Sequence, residues 1–68
     1  MDEESLNISL RKFLKKVGVT AQREIENAVR RAAEDGRLDG RSTIPASVRL
    51  TLPAAGLDVK IDGEIEIE

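Results

Sequence analysis

Residues 60–68, KIDGEIEIE, decide how many strands this chain has. Asp62-Gly63 lies between alternating apolar residues, the strongest short-range signal for a two-residue β-hairpin turn. Register argues against a reversal there. Residues directly opposite in an antiparallel pair share a face, and a slip of one residue flips the whole set. A turn over Asp62-Gly63 sets Ile61 against Glu64 and Lys60 against Ile65, scattering apolar side chains over both faces. A three-residue loop from Asp62 to Glu64 keeps parity, but that loop favours glycine in its last position. Upstream, Ile44, Ala46, Val48, Leu50 and Leu52 alternate with Thr43, Pro45, Ser47, Arg49 and Thr51 until PAAG at 53–56. Pro53 suits the first corner of a type I turn and Gly56 a positive-φ exit. A turn there pairs Leu52 with Leu57, Leu50 with Val59, Val48 with Ile61, Ala46 with Gly63 and Ile44 with Ile65. Every inward pair is apolar or small. The pattern predicts one long hairpin with strands over 44–52 and 57–67, and a bulge at Gly63 is compatible with it.

Before residue 43 the period is helical. Leu6, Leu10, Phe13, Leu14 and Val17 line one face, and Ser5, or Asp2 a turn earlier, can cap the start. Gly18 suits the left-handed residue after a helix end, with Val19 packing back on Leu14 and Lys15 and Lys16 favouring the negative end of the dipole. Thr20 is a natural N-cap for a second helix with the stripe Ala21, Ile25, Ala28, Val29, Ala32 and Ala33, ended by Gly36. The expectation is therefore helices over 5–17 and 20–35 in a tight αα-hairpin. The loop that follows carries Leu38 as a buried anchor. The fold class is α+β in the order α-α-β-β: a single domain over 1–68, its helical hairpin packed on one face of the β-hairpin, with Phe13 in the core. Ala46 and Gly63 leave a shallow hollow beneath a helix.

The chain has 68 residues, no cysteine, no histidine and Phe13 as its only aromatic. A core this small rarely supplies more than about 3–5 kcal/mol without disulfides, metal or oligomerisation. Disulfides and thiolate metal sites are excluded, which leaves self-association as the stabiliser. The apolar runs fall short of the roughly 20 residues a membrane helix needs. The acidic start MDEESLN lacks the order of a signal peptide. A cytoplasmic protein without membrane contact is expected. Net charge is −2, unevenly spread: residues 11–33 hold seven Lys/Arg and two Glu, residues 58–68 one Lys and five acids.

Little here points to catalysis. No histidine stands ready to activate Ser, Thr or Lys, and EDGRLDGRS (34–42) lacks the spacing of a phosphate-binding loop. The chain reads as no enzyme, with no catalytic, cofactor-binding or metal residue assigned and no cofactor. Asp58, Asp62, Glu64, Glu66 and Glu68 share the outer strand face, where a solvated guard against edge aggregation is the simpler reading than a cation site. Arg11, Lys12, Lys15 and Lys16 form the candidate anion or partner patch, with Ile8 exposed among them opposite the apolar stripe. LKKVGVTAQREI (14–25) approaches a helix-turn-helix, but the motif's next apolar position falls on Glu24, with Ile25 one residue late. Charge on the second helix pairs internally, Glu26 with Arg30 and Arg30 with Glu34. A small nucleic-acid-binding regulator is the alternative function; nucleic acid is the less favoured partner.

The sheet edge is the sharper candidate. Pairing two acidic strands would bring carboxylates together, whereas the 46–52 strand is nearly neutral outside. Ala46, Val48 and Leu50 are the dimer-edge candidates of a C2 homodimer with a four-stranded sheet, Leu50 facing Ala46 of the other copy when the strands cross at Val48. The function expected is a non-enzymatic protein-interaction module acting as a homodimer, with room for a further protein partner. LNISLRKFLKKVGVTAQREIENAVRRA (6–32), GRLDG (36–40), TIPASVRLTL (43–52) and IDGEIEIE (61–68) together resemble a small, mainly proteobacterial family of unknown function, over nearly the whole chain. That resemblance implies a bacterial protein with one compact domain and carries no catalytic residue with it.

Overall fold

The computed structural model describes residues 1–68, which divide into two compact units, Met1–Leu38 and Asp39–Glu68. The first unit is one helix, α1, over Glu3–Glu34. Of the two caps the sequence offers, Asp2 is the one used. Its carboxylate accepts from the amides of Glu4 (3.0 Å) and Ser5 (3.3 Å), and Ser5 Oγ donates to it at 2.7 Å. These bonds satisfy donors that a helix start leaves without partners, and Glu3 and Glu4 in the first turn complement the dipole. At the other end Gly36 takes φ 74°, its amide donating to Ala33 O (3.2 Å) while that of Arg37 donates to Ala32 O (3.0 Å). That pair of bonds is a Schellman stop.

The break expected at Gly18 does not exist. The helix runs through Gly18, Val19 and Thr20, so the helices over 5–17 and 20–35 are one, and the order is α-β-β rather than α-α-β-β. Gly18 is not among the positive-φ glycines, Thr20 caps nothing, and Val19 does not fold back on Leu14. Magnitudes explain the outcome. Glycine inside a helix costs about 1 kcal/mol relative to alanine. Stopping and restarting the helix orphans up to four carbonyls on one side and four amides on the other. The apolar stripe also favours continuity. Leu6, Val17 and Ala28 are eleven residues apart in succession, as are Leu10, Ala21 and Ala32, and Leu14 and Ile25. Eleven residues fall only about 20° beyond three full turns of a straight helix. A single helix therefore keeps one stripe in phase from Leu6 to Ala32. Ile25, one residue late for a helix-turn-helix, is on time for an unbroken helix.

The second unit is the hairpin. Strand β1 (Thr43–Leu52) and strand β2 (Leu57–Glu66) pair antiparallel, joined by a 3₁₀ turn at Pro53–Ala55 and by Gly56 at φ 67°. Leu52 pairs with Leu57, Leu50 with Val59, Val48 with Ile61, Ala46 with Gly63 and Ile44 with Ile65, the register that parity requires. Asp62-Gly63 continues straight through it, and Gly63 pairs with Ala46 without a bulge. Past the strand, the amides of Ile67 and Glu68 both donate to Ser42 O, at 2.9 and 3.3 Å.

No side chain in the molecule is buried. Phe13, expected in the core, is 52% exposed. The physical reason is the missing helical hairpin: a lone helix has one apolar stripe and no facing helix in its own unit, and a two-stranded sheet has one layer. Val17, Ala21, Val29 and Ala32 on α1 and Ile44, Ala46, Leu50, Leu57, Ile65 and Ile67 on the hairpin are half-buried; Leu38 is half-buried rather than a buried anchor.

Candidate interaction surfaces

Successive α-helical residues are about 100° apart around the axis, which sorts α1 into sides. One side is the stripe. Phe13, Lys16, Val17, Thr20 and Ala21 line a shallow groove of about 330 Å³ on it, and Leu10 and Leu14 beside it are 46% and 56% exposed. The far side carries Ile8, Lys12 and Lys15, with Arg11 and Lys16 on its flanks, so the candidate patch is brought together. The unbroken helix adds members that a turn at Gly18 had set aside: Val19 lies eleven residues beyond Ile8 on the same side, and Arg23 and Arg30 follow. The in-phase stripe is the signal that finds them. Arg30 pairs with Glu26 at 3.4 Å, and Gln22 Nε2 donates to the same carboxylate at 2.9 Å. Arg11, Lys12, Lys15, Lys16 and Arg23 take part in no ion pair. The helix-turn-helix likeness ends here, because that motif needs two helices at a steep angle and a straight helix provides none.

On the hairpin, Ala46, Val48 and Leu50 share the apolar face with Val59 and Ile61. Val48 is 45% and Ile61 56% exposed. Each strand of a two-stranded sheet has one edge paired and one edge free. The outer face holds the acids. Asp58 is gripped by Arg49 through two bonds, Nε–Oδ1 at 2.9 Å and Nη2–Oδ2 at 2.7 Å. The guanidinium holds the Asp58 carboxyl below the usual carboxylate range and is itself held more firmly protonated. Arg49 sits directly across from Lys60, so this bond is diagonal, along the reach available to long side chains on one face. Lys60 Nζ lies 3.4 Å from Asp62. The five carboxylates are strung along the strand, and no three acids of the molecule converge on a point that would hold a metal ion. No helix is long and apolar enough to cross a membrane.

Residues 1–68, the full length of the chain, match a family of unknown function, DUF6494. The chain belongs to that family. The resemblance to a family of unknown function read from the helix, GRLDG and strand motifs thus holds from end to end. Neither the curated proteins nor the solved structures contain a match. Membership in DUF6494 brings no reaction and no ligand with it, so function rests on the two surfaces described above.

Proposed function

We propose that this chain is a small non-enzymatic interaction module that acts as a homodimer. The observation that carries the reading is the absence of any buried side chain in a chain that is 40% hydrophobic. Fully covering a Val, Leu, Ile or Phe side chain contributes about 1.5–3 kcal/mol. Phe13, Leu14, Val48, Leu52 and Ile61, each at least 45% exposed, forgo about half of that in a single copy. A second copy supplies the missing cover. The non-enzymatic part is supported by chemistry: the groups with displaced pKa values, Asp2, Arg49 and Asp58, are shifted by surface hydrogen bonds rather than by desolvation.

In this reading β1 of each copy pairs antiparallel across Val48, with Leu50 facing Ala46 of the second copy, to give a four-stranded sheet. The charge pattern supports β1 over β2. The outer side of β2 carries Asp58, Asp62, Glu64 and Glu66, which would repel their own copies, while the only charge on β1 is Arg49, already held by Asp58. Sedimentation or light scattering across the micromolar range tests the proposal. A dimer mass is expected, and a strictly monomeric mass at high micromolar concentration sinks it.

A further inference from the structure

We infer that α1 pairs antiparallel with α1 of a second copy, centred on Val19, the bulky half of each stripe facing the alanine-rich half of the other. The inference rests on the homodimer reading and deepens it by naming a second contact surface and its register. Of the stripe, Leu6, Leu10, Phe13, Val17, Ala21, Ile25, Ala28 and Ala32 follow one another in steps of four, three, four, four, four, three and four residues, with Leu14, Val29 and Ala33 outside that series. That order of steps is the same read from either end, and its midpoint is Val19. A C2 pair of antiparallel helices requires a stripe that coincides with itself on reversal, since the same patch serves both partners.

Side-chain volume points the same way. In this register Leu6 lies level with Ala32 of the second copy, Leu10 with Ala28, Phe13 with Ile25, Leu14 with Glu24, and Val17 with Ala21. The layers of Leu6, Leu10 and Val17 each join a large residue to an alanine, which lets the two axes approach closely there, while Phe13 and Ile25 form the one layer of two large apolar residues. A parallel pair would stack Leu10 on Leu10 and Phe13 on Phe13 at one end and alanine on alanine at the other, forcing the helices apart where the alanines need them close. Near the midpoint, Phe13, Lys16, Val17 and Thr20 have the i, i+3, i+4, i+7 spacing of a hole that accepts a knob from a facing helix. At 32 residues α1 is long enough, more than four heptads, for such a seam to persist.

The chain has no cysteine of its own, which makes cross-linking direct. Leu10→Cys and Ala28→Cys chains, mixed and mildly oxidised, are expected to give a covalent dimer, at least tenfold more than either variant alone. In the antiparallel register the two copies of residue 10 are about 27 Å apart along the axis, beyond disulfide reach. Efficient cross-linking of Leu10→Cys with itself indicates a parallel pair and overturns the inference. A chain that sediments as a dimer but cross-links in neither combination overturns it too, leaving the strand-edge dimer in place. A monomeric wild-type chain removes both. The exchange Leu10→Ala with Ala28→Leu guards against a folding artefact: each change alone is expected to weaken the dimer at least tenfold, and the two together to restore most of it. Failure of that restoration in a variant of native helix content also refutes the register.

Discussion

Replacing Gly18 with alanine separates an unbroken helix from a turn by the sign of the effect. A Cβ built on Gly18 meets nothing within 4 Å, and the residue does not have positive φ. The new methyl therefore creates no clash and no strain, and what remains is the helix propensity difference, about 1 kcal/mol in favour of alanine. That is about a fivefold gain in the folding constant, or roughly 4–8 °C in melting temperature for a domain of this size. If the chain instead turned at Gly18 in the left-handed conformation, the same change would cost about 1–2 kcal/mol. The assay is thermal and urea denaturation followed by circular dichroism at 222 nm, at matched protein concentration because association alters the midpoint. Cα chemical shifts from Val17 to Ala21 give a second readout that association does not mimic. A lower midpoint together with non-helical shifts at Val19 and Thr20 would refute the continuous helix.

Two further outcomes follow from the hairpin. Gly56 has φ 67° with open space around its absent Cβ, so Gly56→Ala is expected to destabilise by about 1–2 kcal/mol through backbone conformation alone; an unchanged urea midpoint would contradict the left-handed turn. Asp58 is held ionised by Arg49, so its contribution to stability is complete at neutral pH and is lost as pH falls through its depressed pKa. Melting temperatures between pH 6 and 3 are expected to fall more steeply for the wild type than for Asp58→Asn; parallel curves would show that the bond does not persist in solution.

The two halves of the chain were legible to different degrees. In the hairpin, a local signal at Asp62-Gly63 competed with the parity of ten alternating positions, and parity prevailed because one slipped residue would have turned every apolar side chain outward. At Gly18 the local signals agreed with one another and were still overruled. A glycine, a plausible cap at Thr20 and two lysines before it each favour a helix end by about 1 kcal/mol or less. Interrupting a helix whose stripe stays in phase forfeits backbone hydrogen bonds on both sides. The basic patch was legible as far as Lys16. Val19 and Arg23 join its side only once the phase is carried through Gly18. The Arg49–Asp58 bond was not legible in the strand pattern, because direct opposition pairs Arg49 with Lys60 and the bond runs to the diagonal neighbour.

By itself, then, the sequence determined the strand register, the Pro53–Gly56 turn, the helix end at Gly36, and the sign of charge on each surface, while between Asp2 and Ser5 as the starting cap it left the choice open. These depend on short-range chemistry: side-chain period, proline and glycine dihedrals, and caps within a turn of the residues they serve. Only the tertiary structure decided that Gly18 lies inside a helix and that Phe13 and Leu14 remain uncovered. The first turns on backbone hydrogen bonds and the phase of the whole stripe rather than on any local signal, and for the second, apolar residues ask for cover without specifying where it comes from.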